Sequence, residues 1–240
     1  MRRRDLLPSA NVVQISPMKV VILVAGMGSR LGNSLPKCLM PLRPDYTIID
    51  HQLANLKAFA GGIIAVIGFK KDLILERHPE LLFAYNPLYD QTNTSQSLLI
   101  ALQHLRGEDV LFLNGDVVFD PRIVAVMAQC EESCMAVIRS RVADEEVKFS
   151  LDARGHIRAV SKSVAEPIGE AIGINLIRAR DLELVTRCLE RCGPMDYFER
   201  GLEIAIDQGL VLWPVDVTQY PCIEVDFIDD LNRAKAMIGV

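Results

Sequence analysis

Histidine and aromatic residues are scarce in this sequence, with four His, one Trp and 6% aromatics in 240 residues. None of the histidines stands near Cys130/Cys134 or Cys188/Cys192, the two cysteine pairs at helical i, i+4 spacing. A Cys/His metal site is therefore not expected, and the six cysteines read as reduced, buried thiols. No apolar run reaches the roughly 20 residues that cross a bilayer, which argues against a helical membrane span. Positive charge is not in excess either: 26 Lys and Arg against 31 Asp and Glu leave a net −5, the wrong balance for a protein that coats nucleic acid. The opening MRRRDLLPSANVVQISP lacks the apolar core and cleavage site of a signal peptide. Residues 1–17 are expected to form a flexible extension, with Met18 as an alternative start, residues 18–240 to form one domain, and the cytoplasm to be the compartment.

Half of the residues are hydrophobic and 24% are charged, the balance of a globular protein with a sizeable core. In the first half, strand-like runs alternate with helical ones. KVVILVA, GIIAVIGF, LLFAYN and DVLFLNGD are short and apolar, while IIDHQLANLKAFA, KDLILERH and SQSLLIALQHL have helical spacing. Such β-α-β-α alternation predicts a three-layer α/β/α domain around a mostly parallel, mixed sheet. After Asp120-Pro121 and a helix, CMAVIRS, VKFSLDARGHIRAVSK and AIGINLIRA read as further strands, with a hairpin turn at Asp152 to Gly155. This is a small β insertion that extends the same sheet. Two helices and the strand-to-helix run CIEVDFIDDLNRAKAMI complete the chain.

Ligands of parallel sheets bind beyond the C-terminal ends of the strands, so the loops there hold the chemistry. The first is GMGSRLG, Gly26 to Gly32, with Arg30 inside it and Lys37 just after. Its glycines are misplaced for a dinucleotide fingerprint, and no Gly-Lys-Ser/Thr follows for a Walker loop. It is either an ordinary turn or a backbone cradle for phosphate. Asp116 ends one apolar strand and Asp226 another. Each could cap a turn, and together they could hold Mg²⁺, which takes few protein ligands and completes its shell with water and phosphate oxygens. The polar run YNPLYDQTNTSQSL offers Asn93 and Ser95 either as helix caps or as groups that read a base. Lys148 and Lys162 lie on the inserted strands. No Ser/His/Asp or Cys/His set stands out, so nucleophilic side-chain catalysis is not indicated.

Taken together, LVAGMGSRLGNSLPKCL, NGD at Asn114 to Asp116, Ser161-Lys162, GEAIGIN and IEVDFIDDL resemble the nucleotidyltransferases of the GT-A-like, MobA-like class. The likeness runs from Met18 to the end and keeps Ala25, Gly26, Gly28, Arg30, Leu31, Pro36 and Lys37, with Val24 in place of an alanine. Within the class, the Asn-rich segment is similar to that of small cytidylyltransferases that activate phosphocholine, although MDYFERGLE has no tryptophan and Trp213 falls in a late strand. The resemblance implies a Rossmann-like fold and transfer of a nucleoside monophosphate, CTP favoured, to a small phosphorylated acceptor, with release of pyrophosphate. It also assigns roles. Arg30, Lys37 and Lys162 would be catalytic. Val24, Ala25, Gly26, Gly28, Ser29, Asn93 and Ser95 would bind the nucleotide. Lys148, Glu170 and Tyr197 would bind the acceptor, and Asp116 and Asp226 would hold Mg²⁺. A sugar-1-phosphate uridylyl- or thymidylyltransferase and a non-catalytic nucleotide-binding module are the rival readings. A homodimer is left open.

Overall fold

The computed structural model describes residues 18–28, 35–139 and 146–239. Thirteen strands and seven α-helices are formed by the described residues. The first half follows the alternation expected from the pattern. Strand β1 (Met18–Val24) is followed by a one-turn 3₁₀ helix (Lys37–Leu39), a short hairpin of β2 (Pro41–Arg43) and β3 (Tyr46–Thr47), and helix α1 (Ile48–Leu56). Then come β4 (Ala60–Ile67), α2 (Lys71–Arg77), β5 (Leu82–Tyr85), α3 (Thr94–Leu102), β6 (Val110–Asn114), β7 (Val117–Phe119) and α4 (Arg122–Met127). In the second half, β8 (Cys134–Ile138), β9 (Lys148–Leu151), β10 (Ile157–Ser161) and β11 (Gly169–Ile177) precede α5 (Ala179–Leu189) and α6 (Phe198–Asp207). Strands β12 (Trp213–Asp216) and β13 (Cys222–Glu224) lead into α7 (Ile228–Met237).

Strands β5, β4, β1 and β6 pair in parallel; β11 pairs antiparallel to β6 and to β8, and β12 joins β8 in parallel. Along β5-β4-β1-β6-β11-β8-β12 only β11 therefore runs against the others. The β9–β10 hairpin attaches to the first residues of β11 through β9, which is how the inserted strands extend the original sheet.

Alternation along β1 shows why the sheet needs helices on both faces. Val21 and Leu23 enter one cluster with residues of α3, α5 and α6. Met18, Val20, Ile22 and Val24 enter another with Ile49, Leu56, Ile74 and Ile123. Ile22, Leu113 and Phe112 are wholly buried, and each such side chain stabilises the fold by about 1.5–3 kcal/mol. Helix α5 presents Leu182, Val185 and Leu189 to the core and leaves the Glu183–Arg187 pair in solvent, the stripe expected of a surface helix. A third cluster joins α7 to the β2–β3 hairpin through Leu42, Ile48, Val225 and Leu231.

One sequence expectation is corrected. Cys130 and Cys134 are not a helical pair: Cys130 lies after the end of α4, and Cys134 opens β8, fully buried. Extended backbone carries the chain inward there, because Cys134 pairs with Leu176 on one side and Trp213 on the other. Cys188 is in α5 but Cys192 lies beyond its end, with the Cys192 thiol donating to the Cys188 carbonyl at 3.8 Å.

Candidate active site

The site begins with how two distant aspartates meet. Strand β6 ends at Asn114, and Gly115-Asp116 turns the chain directly into β7. Gly115 packs so closely under β1 that an added Cβ would stand 2.3 Å from Val24 Cγ1 and 2.7 Å from the Leu23 carbonyl oxygen. From below, the wholly buried Gln52 of α1 donates to the carbonyls of Asn114 and Val117 at 2.9 and 2.8 Å. Strand β13 then pairs antiparallel with β7, and the Val225 N–H donates to the Asp116 carbonyl at 3.0 Å. The next residue is Asp226. Its own N–H and that of Phe227 donate to the Asp230 carboxylate at 3.1 and 2.8 Å, which starts α7 and holds Asp226 at the junction.

Lys37 lies between the two acids. After Pro36, the one-turn helix aims its ammonium at Asp116 Oδ2, 2.9 Å away, and Asp226 Oδ1, 2.5 Å away. The side chains of Lys37, Asp116 and Asp226 retain 16%, 18% and 31% of their exposure, so water screens these contacts only in part. Burial pulls the Lys37 pKa down, but the charges and hydrogen bonds of Asp116 and Asp226 outweigh it and leave the pKa above the ordinary lysine value. Glu224 is pushed well above the usual carboxylate range by burial and by its neighbours Asp116 and Asp226. Behind Lys37 the Cys38 thiol is buried and pushed up to about 12, first by burial and then by Asp116. The stem of Lys37 crosses Gly28, whose φ of +60° and missing Cβ make room: a Cβ there would lie 2.6 Å from Lys37 Cγ.

A cleft of about 420 Å³ opens over this group. Val24, Gly26, Gly28, Asn93 and Thr94 line it, and so do Lys162, Tyr197, Phe198 and Glu199. The Asn-rich segment and the loop before α6 are tied directly together. Asn93 N–H donates to the Pro194 carbonyl at 2.8 Å, and Phe198 N–H donates to Thr94 Oγ1 at 3.0 Å. The Lys162 ammonium sits 5.6 Å above the centre of the Tyr197 ring. Glu199 is buried with Oε2 lacking a hydrogen-bond partner among the described residues. Burial raises its pKa to about 7, against a lowering pull from Lys162 and a raising one from Glu203.

Of the residues singled out in the sequence, Lys37, Asp116 and Asp226 are in direct contact. Val24, Gly26, Gly28, Asn93, Lys162 and Tyr197 line the same cleft. Four others are not among the residues that line it. Ala25 is buried, its carbonyl accepting from Phe69 N–H, and Ser95 is fully buried at the start of α3. Lys148 donates to the Lys162 carbonyl at 3.2 Å, and Glu170 faces it as its register partner on β11. Glu170 is raised above the ordinary carboxylate value, first by burial and then by Glu146. Ser29 and Arg30 lie outside the described residues.

Gln52, Glu199 and Glu224 are site residues that sequence reasoning did not single out. Gln52 carried a usable signal, being the polar residue at a core position between Ile49 and Leu56 of α1. Glu199 carried none, because an acid in the first turn of a helix ordinarily complements its dipole.

Residues 20–175 match the MobA-like NTP transferase domain. The chain belongs to that family. It is a nucleotidyltransferase family, and the chain has its α/β fold. Among solved structures it is similar to the CTP:phosphocholine cytidylyltransferase LicC of Streptococcus pneumoniae, at TM-score 0.76 and 15% identity over 93% of this chain and 100% of that one. It is similar to the inositol-1-phosphate CTP transferase of T. maritima at TM-score 0.76 and 16% identity, over 93% and 98%. At such identities the likeness concerns the fold. A curated relative, the bifunctional protein GlmU of Methanococcus maripaludis, is 28% identical over 80% of this chain and 46% of its own length. The CMP-5'-(3-aminopropyl)phosphonate synthase of Streptomyces rubellomurinus is 31% identical over 52% of this chain and 21% of its own. The chain thus spans less than half the length of these two relatives. For a MobA-like NTP transferase domain, the arrangement puts the acidic pair and Lys37 at the C-terminal edge of the parallel strands, where ligands of such sheets bind.

Proposed function

We propose that this protein is a Mg²⁺-dependent cytidylyltransferase acting on a small acceptor that carries a phosphate or phosphonate at one end and an amine or ammonium at the other. The observation that carries the reading is the meeting of Lys37, Asp116 and Asp226, from three separate segments, on the floor of one cleft. The two aspartates fit Mg²⁺ as ligands. They are hard oxygen donors, and Asp116 Oδ1 is buried without a hydrogen-bond partner among the described residues. No group of three or more His, Cys, Asp or Glu side chains that could hold a metal occurs among the described residues, so the proposed ion rests on these two acids and would take the rest of its shell from water and phosphate. When bound, the ion would supply positive charge to the triphosphate.

The chain's own residues would do the remaining work by position and charge. Gly26 and Gly28 let backbone approach the phosphates, Lys37 supplies a cation to the α-phosphate, and the Asn93–Thr94 side of the cleft holds the base. An acceptor oxygen bonds to the α-phosphorus as the α–β bridging P–O bond breaks and pyrophosphate leaves. Lys162 would position the acceptor's anionic end. Glu199 and Tyr197 already have the Lys162 ammonium near them, and the same carboxylate and aromatic ring would stabilise a positive charge on the acceptor. CTP is favoured by the fold-level likeness to two CTP-dependent enzymes, and the buried free thiols Cys38, Cys134, Cys188 and Cys192 are in keeping with a reducing, cytoplasmic setting.

The test is pyrophosphate release from each of the four common NTPs against aminoalkyl phosphates, aminoalkyl phosphonates, alditol phosphates and sugar 1-phosphates, with and without Mg²⁺. Turnover of CTP with an amine-bearing acceptor, abolished by chelator, is the expected result. Turnover confined to UTP or dTTP with a sugar 1-phosphate would overturn the choice of nucleotide and acceptor. Tight nucleotide binding without any turnover would overturn the enzyme reading.

A further inference from the structure

The Lys37 ammonium stands where it cannot yet do what the proposed reaction asks of it. It contacts both aspartates at once, 2.9 Å from Asp116 Oδ2 and 2.5 Å from Asp226 Oδ1. A Mg²⁺ ion held by the same oxygens at about 2.0–2.1 Å would need that space. The same side chain is wanted on a phosphate oxygen. One cation therefore covers a pair of acids that a different cation must take over.

We propose that Lys37 is a resident counter-ion of the Asp116–Asp226 pair, which it holds in the nucleotide-free protein and gives up to the divalent ion as its ammonium moves onto the triphosphate. The inference rests on the reading of the site as a metal-assisted nucleotidyltransferase. Three observations carry it. First, the two carboxylates are held together by backbone, through the β7–β13 pairing and the Val225 N–H to Asp116 carbonyl bond, so their mutual repulsion cannot be relieved by drifting apart. Second, both are partly buried, so some cation has to be present at all times to offset lost hydration. Third, the Lys37 stem runs over Gly28, with room only because that position has no Cβ. Gly28 lies on the cleft wall assigned to the triphosphate, so a nucleotide settling on that wall meets the backbone that steers the lysine. The exchange makes metal and nucleotide arrive together: a free divalent ion has to displace an ammonium that has nowhere better to go, whereas the triphosphate offers that ammonium a new anionic partner.

Mn²⁺ binding to the nucleotide-free full-length protein, followed by electron paramagnetic resonance, tests this directly. Lys37→Met should bind Mn²⁺ about tenfold or more tightly than the wild type, a coupling of ordinary size between competing ligands, whereas Lys37→Arg should stay close to wild type. Equal or weaker binding by Lys37→Met, or no binding by either protein, would overturn the proposal. A second measurement uses the unmodified chain and decides the matter if Lys37→Met does not fold. Mass-spectrometric mapping with an amine-acylating reagent should show Lys37 becoming more reactive as Mn²⁺ is raised; unchanged reactivity at saturating Mn²⁺ counts against the exchange. Failure here and failure of the enzyme reading are distinguishable. Pyrophosphate release by the wild type together with unaltered Mn²⁺ affinity in Lys37→Met removes the counter-ion role alone.

Discussion

Glu199 shows at the scale of one residue how burial sets chemistry. Its pKa is raised by burial to about 7, with Lys162 pulling it down and Glu203 pushing it up. In the unfolded chain it titrates near the ordinary glutamate value, so folding takes up a proton between that value and about pH 7. Stability from this group is therefore complete at low pH and falls as pH rises through that window. Glu199→Gln is expected to melt above the wild type at pH 8, with the difference shrinking at pH 5; thermal denaturation at both values reads it. If Glu199 meets a cationic acceptor, the same variant should raise KM for that acceptor more than for CTP. Asp226 acts instead by direct contact, its Oδ1 lying 2.5 Å from the Lys37 ammonium. Asp226→Asn should keep the fold, since the Asp230 cap bonds its backbone, and should lower kcat by at least about a hundredfold, the usual scale for losing one preorganised charge at a reacting phosphate. Full activity in this variant would sink the metal assignment.

Single elements do their work here by holding others. Helix α1 has an apolar face that packs on the sheet, yet its Gln52 reaches through to the turn that carries Asp116. Gln52→Leu keeps the apolar bulk and leaves the Asn114 and Val117 carbonyls without their donor. It should destabilise the protein by about 1–3 kcal/mol, measured by urea denaturation, and reduce turnover by loosening the acid. Gly115→Ala attacks the same turn from above, where Val24 and Leu23 leave no room for a methyl group, at a cost of about 1–3 kcal/mol for overpacking. A wild-type melting curve for either variant would show that the turn adjusts more easily than its contacts indicate. The long strands and helices were legible in the sequence because their apolar residues repeat with period two or with helical spacing over several residues. Strand β7 was not, since three consecutive buried residues, Val117, Val118 and Phe119, carry no period at all.

Across the whole molecule, nucleotide binding should register as stability, because the cleft is built from segments spread from Leu23 to Asp226. Mg²⁺ and CTP together at about a hundred times Kd should add about 2.7 kcal/mol and raise the melting temperature, and Asp226→Asn should lose most of the rise. CTP without a divalent ion should give less. No helix of the described residues is long and apolar enough to cross a membrane, in line with the absence of apolar runs in the sequence. From the sequence alone came the alternation of elements, the parallel first half, the loops beyond the strands and the likeness to nucleotidyltransferases. Each depends on residues that are near one another in the chain or on a motif of fixed order. Which side chains touch was decided by the tertiary structure. Asp226 lies beside Asp116 only because three residues of β13 pair with three of β7, and Lys37 lies between them only because Gly28 lets its stem pass. Local periodicity cannot encode a pairing between such distant segments, whereas the backbone hydrogen bonds of a two-stranded sheet and a packed core fix it.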